Sequence, residues 1–301
     1  MSPMADPVIL RIPSFAKVNL DLRALGRRAD GYHELRTIFQ TVDLADQIEL
    51  ELRSYDGVEV TVSGADLPAD GSNLAARAAR AYLDRWGRGR GVAIRLTKRI
   101  PVGGGLGGGS SNAAAVLTGL DRLLGPAPSV EVEAVARGLG ADVPYFLYGG
   151  TALGTGRGDD IRPLAELPAC TLWLALAPIS CSSAEVFGAL ALSGRGLTGK
   201  ARDPRISFSV QGGELDWGSV AEGANDLESV VFSRWPVLEE ARDALSRNAR
   251  FVRLSGSGST LFALPEAGHE EDLPSLPADF RVLGVRTLSR SDIARRVADA
   301  A

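Results

Sequence analysis

Apolar and polar residues alternate from Ile9 to Leu25, again from Gln47 to Leu52, and again from Gly57 to Val62, where Val58, Val60 and Val62 fall on one side. A period of two is the side-chain spacing on one face of a strand, so these stretches predict strands of a sheet. The pattern changes at Asn73, a good amino-terminal cap. Behind it Leu74-Ala-Ala-Arg-Ala-Ala-Arg-Ala-Tyr-Leu83 consists of strong helix formers and predicts a helix. Gly91 to Lys98, with Val92, Ile94 and Leu96 on one face, predicts another strand. It runs into Pro101-Val-Gly-Gly-Gly-Leu-Gly-Gly-Gly-Ser-Ser111, after which Ser111 to Leu124 predicts a helix. The local order is strand, glycine loop, helix.

A further helix is expected over Ser129 to Gly138. Pro144 then restricts Val143, which puts Asp142 at a loop or helix boundary. A glycine-rich strand or hairpin runs from Gly149 to Gly158, and Arg162 to Pro168 reads as a crossing segment where a domain boundary is placed. Beyond it come a strand at Thr171 to Ala177, helices at Ser183 to Leu190 and Val237 to Asn248, and a strand-turn signal at Phe251 to Leu264. Both halves, 1–163 and 164–301, are therefore mixed, which makes the class α+β.

Composition narrows the functions. With 301 residues, 45% hydrophobic and 23% charged, the chain is an ordinary globular protein with room for a substantial core. A net charge of -4 provides no global field for nucleic acid or an anionic membrane, so any phosphate site must be local. Met1 to Ser14 lacks the apolar stretch of a signal peptide, and no run is long enough to span a bilayer. Cys170 and Cys181 form neither a metal-ligand spacing nor a disulfide framework. A soluble cytoplasmic protein is expected, with its cysteines reduced.

Six glycines in the seven positions 103–109 strip the loop of side chains, so backbone N–H groups can approach an anion closely. Ahead of a helix, those groups and the helix dipole make a phosphate site, to which Ser110, Ser111 and Asn112 can add donors. The Walker pattern would need Gly-Lys-Ser/Thr at the helix start, and no lysine is there. Gly103, Gly105 and Gly108 satisfy G-x-G-x-x-G, but the following acid, Asp121, falls inside a helix instead of ending a second strand, which disfavours a dinucleotide fold. Elsewhere Lys17 and Asn19 share a strand face, Ala29-Asp-Gly-Tyr-His33 puts a turn before one of only two histidines, and Leu254-Ser-Gly-Ser-Gly-Ser-Thr260 is a second small-residue turn. Each of these has an ordinary structural reading when taken alone.

Together, Ala16-Lys-Val-Asn-Leu20, Ala29 to Leu35, Pro101 to Ala113, Gly140-Ala-Asp-Val-Pro144 and Leu254 to Thr260 resemble the GHMP kinases. The Asp30-Gly-Tyr-His33 segment is similar to the cytidine-binding element of one branch. The resemblance implies a two-domain fold, with an amino-terminal domain like ribosomal protein S5 domain 2 that binds ATP and a carboxyl-terminal α/β sandwich that binds substrate. It implies ATP-dependent phosphorylation, with Mg²⁺, of the 2-hydroxyl of a cytidine diphosphate-linked methylerythritol on the non-mevalonate route to isoprenoids. Pro101, Val102, Gly103, Gly104, Gly105, Leu106, Gly107, Gly108, Gly109, Ser110 and Ser111 would hold the ATP phosphates, with Asn73 and Lys98 near its adenosine. Lys17 and Asp142 match the catalytic pair, while Asn19, Tyr32, His33 and Phe187 match the substrate positions, Phe187 as the aromatic that stacks on the base. A sister kinase acting on homoserine, mevalonate or a sugar, or a non-catalytic sensor of the same fold, stays open at this point. The partner expected is a small molecule and not nucleic acid or membrane, with the protein a monomer or homodimer.

Overall fold

A computed structural model of the chain describes residues 9–87, 89–193, 215–276 and 279–300. Part of the leader-peptide argument rests on residues up to Val8, which lie outside these. The first alternating stretch is β1 (Ile9–Arg27), which pairs antiparallel with β2 (His33–Arg53) from Ile9 opposite Glu51 to Arg27 opposite His33. Only the far end of β2 was visible in the sequence. Its middle, Thr37 to Val42, is buried at every position, with Thr37, Gln40 and Thr41 satisfied by internal hydrogen bonds, so no alternation marks it.

The strand β3 (Val58–Ser63) lies parallel to β4 (Gly91–Thr97), and α1 (Leu74–Trp86) makes the crossover that parallel neighbours need. With β5 (Thr151–Thr155) and β6 (Asp160–Pro163) the sheet order is β3-β4-β2-β5-β6, with β1 also on β2. Three further helices, α2 (Gly108–Leu124), α3 (Ser129–Leu139) and α4 (Val143–Tyr148), complete this part. Pro144 stands in the first turn of α4, where a missing N–H does no harm, so it starts a short helix instead of preventing one. Alanines 75, 78, 79, 113 and 114 let α1 and α2 pack close to Ile12, Ile48, Leu50 and Ile94 of the sheet.

The second sheet, ordered β10-β7-β9-β8, comprises β7 (Thr171–Leu176), β8 (Ala249–Leu254), β9 (Leu261–Pro265) and β10 (Arg281–Arg286). Helices α5 (Ser183–Ser193), α6 (Trp217–Ala221), α7 (Glu228–Arg234) and α8 (Pro236–Leu245) accompany it. The chain passes between sheets from Pro163 to Thr171. The final helix, α9 (Arg290–Ala300), leaves the second sheet, and Ile293 and Val297 pack into the first sheet's core. The end of the chain thus contributes to the first sheet's core. Both cysteines are free, and burial raises the thiols to about 12 at Cys170 and about 11 at Cys181. Among the described residues, no helix is long and apolar enough to cross a membrane.

The two sheets are stitched through β1. Arg253 of β8 is buried and donates to the carbonyls of Leu20, Val220 (3.1 Å), Ala221 (3.3 Å) and Gly223 (2.6 Å). Asn225 donates to Leu254 O (2.9 Å) and Gly256 O (2.7 Å), and Leu22 N donates to Ala224 O (2.9 Å). Replacing Arg253 by Met keeps much of the apolar bulk but removes the donor from four carbonyls, two of them buried and two partly buried. The expected loss of unfolding free energy is about 3 kcal/mol in urea titrations, and a loss within experimental scatter would show that the clamp contributes nothing.

Candidate active site

The glycine loop runs from β4 to α2, which starts at Gly108 and not at Ser111 as expected. Gly107 holds the cap position at φ 72° with no side chain to offer, so the N–H groups of Gly108, Gly109 and Ser110 have no partner within the helix. These residues, with Pro101 to Gly107, line a cleft of about 1050 Å³. An uncapped helix start with its positive dipole end at a cleft can accept an anion.

The carbonyl side of the loop is occupied by protein. Gly103 O accepts from Cys181 N (3.3 Å), Gly104 O from Thr260 N (3.2 Å), and Gly105 O from Ser255 Oγ (2.9 Å) and Lys17 Nζ (2.9 Å). A Cβ on Gly105, whose φ is 74°, would lie 2.1 Å from Ser255 O. The glycine there serves close contact with the Ser255–Thr260 turn as well as anion approach. Cβ-free backbone meets backbone across the junction of the two sheets, a requirement that neither segment shows alone.

Lys17 and Asp142 come together as the motifs implied. The Lys17 side chain is only 4% exposed, and its ammonium faces three acceptors: Asn19 Oδ1 (2.7 Å), Gly105 O (2.9 Å) and Asp142 Oδ2 (3.4 Å). Asn19 is held in turn, donating from Nδ2 to Thr37 Oγ1 (2.8 Å), and Thr37 donates to Asp21 O (2.7 Å). Asp142 stands at the start of α4, but its side chain caps nothing. The carboxylate is thus free to face the cleft, about a third exposed (34%).

At another part of the cleft the tip of the β1–β2 hairpin presents Tyr32 and His33, and α5 presents Phe187. His33 and Phe187 stack with centroids 5.3 Å apart and planes 29° off parallel. His33 Nε2 is buried without a hydrogen-bond partner, and burial, helped by the charge of Arg27, lowers the His33 pKa, which favours the neutral ring. Tyr32 is exposed, with the Arg157 guanidinium 5.1 Å from its ring centroid. The mixture of exposed aromatic face, unpaired ring nitrogen and guanidinium suits a flat, polar, hydrogen-bonding ring.

Several implied placements change. Ser111 turns inward: its hydroxyl donates to Phe15 O (2.6 Å) and accepts from Ser14 Oγ (2.7 Å), and its N–H donates to Gly107 O (2.9 Å), leaving nothing for a phosphate. Asn73 caps α1, accepting from Ala75 N (3.0 Å) and donating to Pro68 O (2.8 Å), and it does not line the cleft. Lys98 lines the cleft, but its ammonium is tied to Asp46 and Asn112 Oδ1. Asn19 stands beside Lys17, six positions along β2's register from His33, because Asn19 pairs with Phe39. Phe187 lies against His33, the two rings stacked with centroids 5.3 Å apart. His33 opens β2 of the first sheet and Tyr32 stands in the turn before it, so both lie in the first half of the chain. Arg157 and Thr37 also line the cleft, and the sequence did not single them out. Arg157 sits in an unremarked Gly-Arg-Gly turn, and Thr37 in the unpatterned half of β2.

Comparison with known proteins accords with this geometry. Profiles described as GHMP kinases N terminal domain and GHMP kinases C terminal match residues 73–150 and 213–275. The 4-diphosphocytidyl-2-C-methyl-D-erythritol kinase of Solibacter usitatus is 43% identical, over 83% of this chain and 79% of its own. A crystal structure of a 4-(cytidine 5'-diphospho)-2C-methyl-D-erythritol kinase has a TM-score of 0.73 and 34% identity, covering 92% of this chain and 99% of that one. Homoserine kinase from Cytophaga hutchinsonii, with a TM-score of 0.64 and 19% identity over 96% of each chain, shares the fold alone. The chain belongs to the 4-diphosphocytidyl-2-C-methyl-D-erythritol kinase family of the GHMP kinases, and it has their two-domain fold.

Proposed function

We propose that the protein transfers the γ-phosphoryl group of ATP to the 2-hydroxyl of 4-diphosphocytidyl-2-C-methyl-D-erythritol, a step in making isoprenoid precursors. The observation that carries this reading is one cleft that joins the Lys17–Asp142 pair and the open helix start to the Tyr32–His33–Phe187–Arg157 aromatic and polar patch. A sister kinase for homoserine, mevalonate or a sugar would have no use for that patch.

Phosphoryl transfer depends on alignment and on stabilising charge at the transferring group. The N–H groups of Gly108, Gly109 and Ser110 would bind the phosphate chain, and the loop's carbonyl contacts would keep it still. Lys17, held by Asn19 and Gly105 O, would reach a γ-phosphate oxygen near Asp142. Asp142 would accept a hydrogen bond from the acceptor hydroxyl. As the bond from γ-phosphorus to the bridging oxygen breaks and the bond to the hydroxyl oxygen forms, the proton would pass to the Asp142 carboxylate and ADP would leave. Among the described residues no cluster of three metal-ligating side chains exists. Mg²⁺ is commonly held largely by substrate phosphates and water, and the Ser110 hydroxyl, which lines the cleft at the open helix start, is the side chain that would help hold it. When bound, it would neutralise phosphate charge. The His33 ring nitrogen would hydrogen-bond the cytosine edge, with the base stacked on exposed aromatic surface. Two free cysteines with raised thiol pKa values suit the reduced cytoplasm.

Asp142→Asn is expected to lower kcat by about 10²–10⁴-fold, with the KM for ATP within a few-fold of wild type, in a coupled ADP-release assay. Near wild-type turnover would refute the role given to Asp142, and equal use of homoserine or mevalonate would refute the substrate. His33→Ala should raise the KM for the cytidine substrate about tenfold or more and leave that for ATP nearly unchanged, and a rise for ATP alone would place His33 at the wrong end.

The lowered His33 pKa also carries a stability sign. A depressed folded-state pKa contributes stability above the unfolded value of about 6.5, and that contribution is lost as pH falls through the folded value. Between about pH 7.5 and pH 5, urea titrations should show wild type losing more stability than His33→Gln. Parallel losses would mean that the ring titrates alike in both states.

A further inference from the structure

One buried carboxylate outside the transfer chemistry touches both ends of the glycine loop. Asp46 lies on β2, one position beyond the Gln47–Thr97 pair that ends the β2–β4 ladder, and is 1% exposed. Its Oδ1 accepts from the N–H groups of Arg99 (2.7 Å) and Ile100 (2.9 Å), the last turn before the loop. Its Oδ2 accepts from Lys98 Nζ and from Asn112 Nδ2 (2.9 Å), the latter in the first turns of α2, just past the loop. Four donors occupy the two oxygens, which is the full acceptor capacity of a carboxylate. Asn112 also donates to Ser14 Oγ (2.9 Å), and Ser14 donates to Ser111, which donates to Phe15 O, so the grip extends to the strand that carries Lys17.

We propose that Asp46 is a positioning residue for the phosphate loop: by binding residues 98–100 and Asn112 at once, it fixes the span across which the glycine loop closes and the aim of the α2 N–H groups. Residues 101–111 are too poor in side chains to fix themselves, so their ends must be held from outside. The charge of Asp46 is needed as well as its shape. Lys98 Nζ lies 3.0 Å from where a Cβ on Gly108 would be, which puts a cation under the positive end of α2, and Asp46 compensates it. An amide at position 46 would turn two N–H groups toward donors, either Lys98 and Asn112 or the two backbone amides.

This inference rests on the reading of the loop as the site of the ATP phosphates, and the test separates the two. Calorimetric titration of the full chain with ADP, adenosine and CDP measures the phosphate-dependent part of nucleotide affinity as the ratio of adenosine to ADP dissociation constants. For Asp46→Asn that ratio should fall about tenfold or more, with adenosine and CDP affinities within about twofold of wild type. In turnover assays the KM for ATP should rise more than kcat falls. An unchanged ratio, a uniform loss for all three ligands, or tighter ADP binding from a liberated Lys98 would each overturn the role of Asp46. A wild-type protein that binds ADP no better than adenosine would instead overturn the loop reading itself, and the proposal with it. Should Asp46→Asn not fold, Asn112→Ala decides, since it releases only the helix end: a selective loss of about threefold for ADP supports the proposal, and an unchanged ratio overturns it.

Discussion

A loop of six glycines in seven positions can bring its backbone to an anion because it has no side chains, and for the same reason it cannot hold its own shape. The structure meets that constraint from outside. Carbonyls of Gly103, Gly104 and Gly105 are bound by Cys181, Thr260, Ser255 and Lys17, which leaves the opposite side of the loop to the cleft. Three of these four partners come from the second half of the chain. The division into two sheets is therefore subordinate to the loop, and the contact between them is part of the site.

The same economy governs Lys17. A buried ammonium needs oxygens and opposite charge around it, and Asn19 and Gly105 accept hydrogen bonds from Lys17 while Asp142, at a helix start, supplies the carboxylate. Asn19 could not do this if its amide were free to flip, and Thr37 on the neighbouring strand prevents that. The pairing of β1 with β2 is thus what aims the lysine. The long hairpin does a second thing at its tip, carrying Tyr32 and His33 to meet Phe187 of α5. Two groups of side chains some distance apart along one cleft are set by the register of a single pair of strands.

Legibility in the sequence followed the physics of each element. Strands exposed on one face, such as β3, and helices with an identifiable cap, such as α1, were readable because alternation and capping are local. The middle of β2 was not, since burial on both faces erases the period, and α9 was not, since its few buried apolar residues are matched to a surface formed by residues far earlier in the chain. In the cleft, the glycine run marked a helix start whose N–H groups are open, and separated motifs named a lysine and an aspartate that meet there. Ser111 and Lys98 look in the sequence like groups for a ligand, yet inward-facing partners claim their polar atoms.

By itself, then, the sequence determined the strand-loop-helix unit, the mixed class and the kinds of side chain available for phosphate and cytidine chemistry, all properties of neighbouring residues. Which of those side chains face the cleft, and which are consumed in holding it, was decided only by tertiary structure. Ser110 and Ser111 are adjacent and chemically identical, but one lines the cleft and the other hydrogen-bonds back to Phe15. The physical reason is that a polar atom's role depends on whether a partner fills its hydrogen-bonding capacity, and the partners of the Ser111 hydroxyl lie 96 and 97 residues away.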